Sequence, residues 1–546
     1  MTGVFEIFDK DLMGRIGRIY TSHGIVETPE LAPVVNPVKN VVPVNEIIQI
    51  GFHLIMTNAY IIKKHYEALA LDLGVHRLLG YDGPMMTDSG AYQLMEYRSI
   101  EVDPVEIVKY QEGIGTDIGV ILDIPTRYRV PKHVVINEVK ETVRRAEKSI
   151  KVKERDDMIL IAPVQGGRYL DLVKWSAKKL SALNFEMYGI GGPTQMMEQY
   201  KYDELVDLIA TAKSYIPPEK PVHLFGAGNP LTLSLAVALG IDTFDSASYA
   251  IYARDLRYML PDRIVRVERL KELPCLCPVC KRYDIESFIN LPRHELVREV
   301  ALHNLHVIKA ELKRIRQAIF EGTLWELLEV RARSHPNLMR GLRRLRKYVR
   351  LIEKFDPVTK PIVRGLFFYP QTSLYRPEVY RHKIRILKNY TPPKCKCLLL
   401  LPETTERPFS RYGPISLLYS SLREFIENEV LHIAIYSLPF GLIPVEIDEI
   451  YPLSQYEYSG EPTLGEKLNV IKFIAKYLTV FKHHYEKVII HMDIKQWGVK
   501  FYEILLEKLI ELMGRENVLV TPLGSDKPYD SLAIDELVET IKRNIA

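Results

Sequence analysis

The sequence predicts an α/β protein whose main domain is a (β/α)8 TIM barrel, and three observations indicate this class. Eight short apolar runs alternate with longer segments of helical periodicity. Together they span about 250 residues, which is the usual size of such a barrel. Polar residues collect at the carboxyl ends of the runs, where a barrel carries its active site. A doubly wound open sheet would show a similar alternation and is the alternative fold.

Each apolar run is short enough for a buried strand, and each is followed by a stretch with helical spacing. The runs, in chain order, are PELAPVVN, FHLIMTN, PMMTD, DIGVILD, MILIAPVQ, MYGIGG, PVHLFG and DTFD. The helical stretches include 132–153, 168–182, 203–214 and 229–239, and the last two follow the start signals Tyr202-Asp203 and Asn229-Pro230.

The composition is that of a globular protein. Of the 546 residues, 47% are hydrophobic and 26% are charged, and the formal net charge is +4. No window reaches the roughly 18 uninterrupted apolar residues of a membrane span, and the first residues lack the apolar core of a secretory signal. Five cysteines, three of them clustered, suit a reducing compartment and a metal better than disulfides. We therefore expect a soluble cytoplasmic protein of two to four domains without membrane contact.

The segment 274–280, PCLCPVC, places three cysteines close together. Cys275, Cys277 and Cys280 have the spacing of metal-binding thiolates, and a site with four protein ligands is typical of structural zinc, since catalytic zinc keeps an open position. The fourth ligand is expected to be a downstream histidine. His303 and His306 lie three apart on one predicted helix and His294 precedes them, so spacing alone leaves the choice open.

Changes of composition along the chain suggest three parts. Residues 1–270 form the barrel, 271–355 a zinc-binding and helical subdomain interrupted at Pro336, and 356–546 a carboxyl-terminal α/β (α+β) domain. The last part has strand-like runs at KCLLLLPE, VLHIAIYSLP and KVIIHMD, with helices expected near 413–428, 464–481 and 497–513. We interpret Cys395 and Cys397, in KCKC, as strand residues and not as metal ligands.

Two carboxylates lie at the ends of predicted strands. Asp88 lies in MMTDSGAYQ, where Ser89 and Gly90 allow a tight turn, and Asp245 lies in TFDSASYAIYAR. A carboxylate at the end of an apolar strand is poorly solvated unless it is hydrogen-bonded, which suggests a chemical task. Two carboxylates at one barrel mouth suit substitution at an anomeric carbon, one attacking or stabilising that carbon and the other handling the proton of the leaving group. A glycoside hydrolase would fit this pattern.

One segment is strongly basic. Residues 340–350, RGLRRLRKYVR, contain six cations and no acid. The segment is either a solvated helix face or a surface for nucleic-acid phosphates, because clustered Lys and Arg gain affinity by releasing counterions.

These motifs resemble those of the tRNA-guanine transglycosylases, and in particular the archaeal branch of that family. The matching segments TDSGAYQ, LDIPT, PVQGG, GIGG, HLFGAGNP, FDSASYA, CLCPVC and HNLH occur in the family's order over about residues 1–350. The archaeal character rests mainly on FDSASYAIYAR. The resemblance implies a (β/α)8 barrel with a zinc subdomain, one structural Zn²⁺ per chain, and base exchange in RNA.

The resemblance also implies a role for each matching residue. Asp245 would attack C1′ of a guanosine, and Asp88 would act as acid and base for the leaving and incoming bases. The target would be the guanine at the fifteenth nucleotide, in the D-arm of tRNA, and the incoming base 7-cyano-7-deazaguanine, the precursor of archaeosine. In the segment HN, His303 would be the fourth zinc ligand. The implied base pocket consists of Ser89, Tyr92, Asp123, Gln165, Gly191, Gly192 and Phe225.

The partners implied by the family are tRNA and a second copy of the chain in a homodimer. The second domain resembles a region shared by archaeal transglycosylases and archaeosine synthases, but the synthase Cys and terminal His are absent and only RPFS remains. No PUA RNA-binding domain is evident, so the D-arm would be reached through the basic segment, the second domain or a separate PUA protein. The competing functions are a non-catalytic tRNA-binding subunit, an archaeosine-synthase-like paralogue and a sugar hydrolase.

Overall fold

The computed structural model describes residues 4–91, 103–360, 362, 364–369, 372–525 and 527–545. The chain folds as two compact units, Met1–Ile362 and Val363–Ala546. Within these described ranges, no helix combines the length and the apolar character that crossing a membrane requires. The finer division of the first unit at residue 271 stays a prediction.

The first unit alternates strands and helices. Its strands are β1 Phe5–Asp11, β2 Gly14–Thr21, β3 Gly24–Thr28, β4 Glu30–Pro33, β5 Ile55–Asn58, β6 Met85–Asp88, β7 Ile118–Val120, β8 Ile159–Val164, β9 Met187–Ile190, β10 Val222–Leu224, β11 Thr243–Ser246, β12 Arg257–Met259 and β13 Ile264–Arg266. Its α-helices are α1 Val44–Gln49, α2 Ala59–Leu73, α3 Val75–Leu79, α4 Pro104–Gly113, α5 Lys132–Val152, α6 Leu170–Ser181, α7 Thr194–Glu198, α8 Tyr202–Lys213, α9 Pro230–Ala238, α10 Ser248–Arg254, α11 Pro278–Arg282, α12 Ile285–Ile289, α13 Arg293–Glu321, α14 Leu324–Ala332, α15 Pro336–Arg344 and α16 Val349–Phe355.

The strands β4 to β11 form the barrel that the eight apolar runs predict. Among the described residues they make one eight-stranded parallel sheet in the order β4-β11-β10-β9-β8-β7-β6-β5. The sheet closes between β4 and β5, where Val34 bridges Met56 in parallel and the Val35 N–H donates to the Met56 carbonyl at 2.7 Å. The prediction of a barrel is therefore confirmed, and the open sheet is excluded.

Of the two predicted helix start signals, Asn229-Pro230 acts as the sequence predicts. The other does not, because α8 begins at Tyr202 itself and no side chain caps it. The Asn229 side chain accepts a hydrogen bond from the Leu231 N–H, and Pro230 occupies the first turn of α9, where no N–H partner is needed. Helix α15 begins the same way, with His335 as its cap and Pro336 in the first turn. The interruption predicted at Pro336 is thus the start of a new helix.

The lower end of the barrel, at the amino ends of its strands, is closed by a three-stranded antiparallel sheet, β1-β2-β3. Ile19 and Val26 of this sheet pack into the same apolar core as Met56, Met86 and Ile161 of the barrel. The sequence analysis did not predict these strands. In FEIFDKD, the exposed residues Glu6, Phe8 and Lys10 alternate with half-buried ones, so no apolar run marks the strand.

A buried ion pair joins this sheet to the barrel. The Arg15 guanidinium binds the carboxylate of Asp242, which directly precedes β11, and also donates to the Lys220 carbonyl at 3.0 Å. Asp242 accepts the N–H of Val222 at the start of β10 at 2.7 Å. Both charges are buried but fully hydrogen-bonded, which is the condition for tolerating them.

The second unit is an α/β domain. Its strands are β14 Leu366–Phe368, β15 Cys397–Pro402, β16 Leu431–Ser437, β17 Gly441–Pro444, β18 Tyr456–Tyr458, β19 Lys487–His491 and β20 Val518–Thr521. Its α-helices are α17 Pro377–Lys388, α18 Gly413–Ser421, α19 Arg423–Glu427, α20 Leu464–Phe481, α21 Ile494–Trp497, α22 Val499–Met513 and α23 Ser531–Asn544.

The central sheet of this unit has the order β17-β16-β15-β19-β20 and is parallel except for β17. Alternate residues of β15 enter two different cores: Leu398 and Leu400 pack on one face, and Leu399 and Leu401 on the other. The predicted carboxyl-terminal α/β domain is confirmed. Cys397 is a buried strand residue of β15, as predicted, whereas Cys395 is buried but precedes the strand.

Candidate active site and metal centre

Asp245 lies near the carboxyl end of β11, and two neighbours on β10 and the loop after it fix its carboxylate. Its Oδ1 accepts the N–H of Gly226 at 2.8 Å and lies 3.1 Å from Nε2 of His223. The other ring nitrogen of His223 lies 2.9 Å from the Thr243 hydroxyl, which orients the imidazole. Because both contacts engage Oδ1, Oδ2 of Asp245 has no hydrogen bond to a described residue.

Asp88 ends β6 on the same rim. Its Oδ2 accepts a hydrogen bond from Nδ2 of Asn58 at 2.9 Å. Asn58 ends the neighbouring strand β5 and pairs directly with Asp88 in register. The turn that follows also supplies the backbone N–H groups of Ser89 and Gly90.

Burial raises the pKa of Asp88 to about 7, and the negative charges of Asp123 and Asp245 add to this shift. Burial likewise raises the pKa of Asp123 to about 6, although the hydrogen bond from Gln165 and the charge of Arg145 oppose it. A carboxyl group with a pKa near 7 can both donate and accept a proton at neutral pH. The three acids therefore meet at one end of the barrel, and one of them is suited to proton transfer.

Replacing Asp88 with asparagine is expected to stabilise the fold at neutral pH. The raised pKa means that the folded protein binds this proton more tightly than the unfolded chain, so its contribution to stability falls as pH rises from about 4 to about 7. The difference in unfolding free energy, variant minus wild type, should be near zero at pH 4 and reach about 1–4 kcal/mol above pH 7. Denaturant unfolding at a series of pH values measures it, and a difference that does not grow with pH would contradict the buried carboxyl.

Asp123 and Gln165 form a second polar pair at the mouth. Both are buried, and Nε2 of Gln165 donates to Oδ2 of Asp123. Oε1 of the same amide accepts the N–H of Thr126 at 3.0 Å, which fixes which end of the amide faces the acid. Together they present a carboxylate and an amide side by side, which suits the hydrogen-bonding edge of a base.

The two glycines after β9 leave room for this pair. A Cβ built on Gly191 would lie 2.1 Å from Nε2 of Gln165, and one on Gly192 would lie 2.6 Å from the Thr126 carbonyl. Gly192 also has φ of +72°, which favours glycine. Any larger residue at either position would displace the pair or the loop beside it.

Of the three remaining predicted pocket residues, two are among the described residues. Phe225 follows β10 and packs edge to face on His223, with ring centroids 4.6 Å apart. Ser89 is buried, and its hydroxyl donates to the Ile121 carbonyl at 3.1 Å. Tyr92 lies outside the described residues.

The cysteine segment forms a compact cluster with one histidine. One donor atom from each of Cys275, Cys277, Cys280 and His303 lies within 4.8 Å of the others, so the group could hold a metal ion. Nδ1 of His303 lies 3.3 Å from Sγ of Cys280 and 3.5 Å from Sγ of Cys277. Nε2 of His303 contacts the Met259 carbonyl at 2.8 Å, which leaves Nδ1 for the cluster.

The structure distinguishes the three candidate histidines. His303 is fully buried and stacks on Tyr258 with centroids 3.5 Å apart, whereas His294 exposes 83% of its side chain. His306 lies on the same helix, α13, but does not belong to the four-residue group. Next to His303, the Asn304 side chain binds the Met259 N–H at 2.9 Å and the Arg257 carbonyl at 3.1 Å, so α13 is fixed against β12.

The sequence analysis did not identify Asn58 and His223. Both lie in quoted runs, FHLIMTN and PVHLFG, on strands adjacent to those of the two acids. A polar residue at the end of an apolar strand was the signal used for the acids themselves. Applied to amide side chains, the same signal would have found Asn58, which ends β5, whereas His223 lies in the middle of β10.

Part of the basic segment is neutralised by an acid of the barrel. Arg344 forms a bidentate pair with Asp207 of α8, and Lys347 lies 3.3 Å from the same carboxylate. Asp207 therefore stabilises the packing of α15 on α8. This contact gives the segment a structural role, independently of any partner.

Comparisons with known proteins agree with these observations. The family model for queuine tRNA-ribosyltransferase matches residues 10–337, and a model for a domain of unknown function, DUF5591, matches residues 379–541. A protein of Pyrobaculum aerophilum named tRNA-guanine(15) transglycosylase is 45% identical over 460 residues, 84% of this chain and 90% of that protein. Proteins of the same name from Sulfolobus acidocaldarius and Methanothermobacter thermautotrophicus are 41% and 44% identical, each over 84% of this chain and over 89% and 68% of their own lengths.

The match covers the barrel, the mouth with its acids and the cysteine cluster. The resemblance found in the motifs is thereby confirmed: the chain belongs to the queuine tRNA-ribosyltransferase family of tRNA-guanine transglycosylases.

Proposed function

We propose that the protein exchanges guanine at the fifteenth nucleotide of tRNA, in the D-arm, for 7-cyano-7-deazaguanine. The observation that carries this proposal is the convergence of Asp88 and Asp245 at one barrel mouth beside the Asp123–Gln165 pair. The printed name of the relatives, tRNA-guanine(15) transglycosylase, supports the position of the target base.

Asp245 is the proposed nucleophile. Gly226 and His223 hold its Oδ1, so Oδ2 is available to bond to C1′ of the ribose. The C1′–N9 bond breaks as this bond forms, and the electron pair leaves with guanine. The result is a covalent aspartyl–RNA intermediate, which divides one difficult substitution into two easier steps.

Asp88 is the proposed acid and base. With a pKa of about 7 it is partly protonated at neutral pH and can give its proton to the leaving guanine. The resulting carboxylate then takes the N9 proton of the incoming base, whose nitrogen attacks C1′ and displaces Asp245. Asn58 holds Oδ2 of Asp88 and so fixes the carboxyl group at the mouth.

The base pocket is proposed to use the Asp123 carboxylate for the N1 and amino groups of guanine and the Gln165 amide for the opposite edge. Phe225 and Tyr92 would cover the faces of the ring, and Gly191, Gly192 and Ser89 would shape the space around it. The fixed orientation of the Gln165 amide supports this assignment.

Substituting Gly191 with alanine is expected to weaken base binding without unfolding the barrel. The new methyl group would displace the Gln165 amide, which lies 2.1 Å from the position of its Cβ, and so remove a partner of Asp123. We expect kcat/KM for the free base to fall by about 10–100-fold, as one misdirected buried hydrogen bond costs about 1–3 kcal/mol. Steady-state kinetics with varied base measures it. Gly465→Ala is the control for generic effects of alanine, because Gly465 has no positive φ and the nearest atom to its Cβ, Oγ1 of Thr463, lies 4.0 Å away.

An exchange assay tests the whole proposal. The protein is incubated with a tRNA transcript labelled in its guanines and with 7-cyano-7-deazaguanine, and release of labelled guanine is followed. Release limited to one guanine per tRNA, lost when guanosine 15 is replaced, supports the proposal. Failure of the wild-type protein to release label would favour a non-catalytic tRNA-binding subunit. The retained acids argue against that function and against a synthase-like paralogue, and the base pocket argues against a sugar hydrolase.

We also propose that the metal is one structural Zn²⁺ per chain, held by Cys275, Cys277, Cys280 and His303. A tetrahedral zinc with bonds of about 2.3 Å to sulfur and 2.0–2.1 Å to nitrogen has S···S edges of about 3.8 Å and S···N edges of about 3.6 Å. The observed Cys277–Cys280 distance of 3.5 Å and the two S···N distances of 3.3 and 3.5 Å are close to these edges. The metal would fix the segment after the barrel and take no part in the reaction. A homodimer, a separate PUA protein and a cytoplasmic location remain expectations from the family.

A further inference from the structure

A groove lies on the rim of the barrel mouth between the strands of the two acids. Around the barrel the strands follow the order β11, β4, β5 and β6, so β4 and β5 separate Asp245 from Asp88. The groove is formed by the residues that follow β4 and β5. It is lined by Asn36, Val38, Lys39, Tyr60, Ile61, Lys64 and His65.

The groove adjoins the turn after Asp88. A Cβ built on Gly90 would lie 2.5 Å from Cβ of Tyr60, so Tyr60, which lines the groove, also contacts that turn. Asn58 connects the two sides, because its Nδ2 donates to Asp88 while its Oδ1 caps the helix α2 that carries Tyr60. A molecule held in the groove would therefore be a direct neighbour of a molecule held by the acids.

The groove has an uncompensated positive charge. Lys39 and Lys64 are exposed, and neither forms an ion pair with a described carboxylate. The adjacent Lys63, by contrast, binds Glu106 and lies 3.9 Å from Glu67. Among the described residues, Glu67 and Glu106 therefore neutralise Lys63 but not the two lysines of the groove.

The rest of the lining combines rings with aliphatic surface. Tyr60, His65, Val38 and Ile61 supply it, and the volume is about 300 Å³, at the lower end of small-molecule sites. Lysines beside stackable rings are the combination that binds single-stranded nucleic acid, the cations contacting phosphate and the rings contacting bases.

We propose that this groove holds the nucleotide next to the target guanosine, with its phosphate on Lys39 and Lys64 and its base against His65. The inference rests on the proposed function, because exchange requires C1′ of the target to lie between Asp245 and Asp88. The neighbouring nucleotide is covalently attached to that ribose, and the groove is the cationic space next to it on this side of the rim. It would help keep the target nucleotide extruded from the tRNA fold.

The double variant Lys39→Gln/Lys64→Gln tests the phosphate contacts. Binding of unmodified tRNA is measured by fluorescence anisotropy at a series of KCl concentrations. Loss of the contacts to this one phosphate is expected to lower the slope of log Kd against log[KCl] by about 0.7–0.9. In exchange assays the KM for tRNA should rise about tenfold, while kcat and the KM for the free base stay within about twofold.

The matched control is Lys148→Gln/Lys151→Gln, which removes the same charge from two exposed lysines without a described ion pair. They lie near the carboxyl end of α5, at the opposite end of the barrel from the mouth. This control should bind tRNA with the salt slope of the wild type. Equal slopes for the two double variants would overturn the proposal.

His65→Ala separates stacking from charge. The variant removes the ring against which the base would stack, so at pH 8 it should raise the Kd for tRNA several-fold with the salt slope unchanged. An unchanged Kd would show that no base stacks on His65 in the groove. Binding of tRNA can be measured without base exchange. The binding results therefore test the groove even if the wild-type protein fails the exchange assay, and that failure would count only against the proposed function.

Discussion

Asp245→Asn is expected to abolish base exchange while leaving tRNA binding intact. Asparagine has the shape of aspartate, and its amide oxygen can still accept the N–H of Gly226. It cannot supply the carboxylate that bonds to C1′, so we expect the exchange rate to fall by about 10⁴-fold or more, as in other enzymes that lose their nucleophile. Labelled-guanine release measures the rate, and a denaturing gel detects the covalent RNA–protein adduct, which should disappear.

The control is Asp255→Asn. Asp255 is an exposed acid just after α10 that pairs with Arg257, and its loss should change exchange by less than about twofold. A Kd for tRNA within about threefold of the wild type shows that Asp245→Asn has folded. Exchange by Asp245→Asn within tenfold of the wild-type rate would exclude it as the nucleophile.

His303→Ala is expected to lose the metal and to destabilise the first unit. The variant keeps three thiolates but lacks the buried nitrogen that lies 3.3 and 3.5 Å from two of them. Loss of a structural zinc site typically costs several kcal/mol, and we expect about 3–5 kcal/mol and a fall in Tm of about 10 °C. Zinc content by plasma mass spectrometry and thermal unfolding measure the two effects.

His306→Ala is the matched control on the same helix. It should retain one zinc per chain and a Tm within about 2 °C of the wild type. His303→Ala should still exchange base when assayed well below its Tm, because the cluster is separate from the acids. Retention of full zinc by His303→Ala, or its loss from His306→Ala, would reverse the choice of ligand.

The barrel could be predicted from the sequence because its strands are buried on both faces. Such strands appear as short apolar runs whatever their partners, and eight of them were found. The strands that were missed have an exposed face or follow closely on another element. β1 has an exposed face. β17 begins only four residues after β16 ends, just beyond the predicted run VLHIAIYSLP.

The site was predicted residue by residue from its motifs, but its internal contacts were not. Asn58 is 30 residues from Asp88 and His223 is 22 from Asp245, and only the register of parallel strands brings each pair together. The choice among three histidines likewise depends on tertiary packing, since His303 is selected by its contacts with Tyr258 and the Met259 carbonyl. Local patterns predict which side chains line a barrel mouth, and pairing across strands determines which of them touch.

The sheet β1-β2-β3 has a consequence for the order of events in the reaction. Ile19 and Val26 fill the barrel axis from below, and the Arg15–Asp242 pair fixes them there. Within the described residues, this packing closes the lower end of the barrel, so the proposed base pocket opens at the mouth, where the RNA would bind. In the proposed reaction, guanine would therefore leave through the mouth before its replacement enters by the same way. The covalent bond to Asp245 would retain the RNA while the pocket is empty.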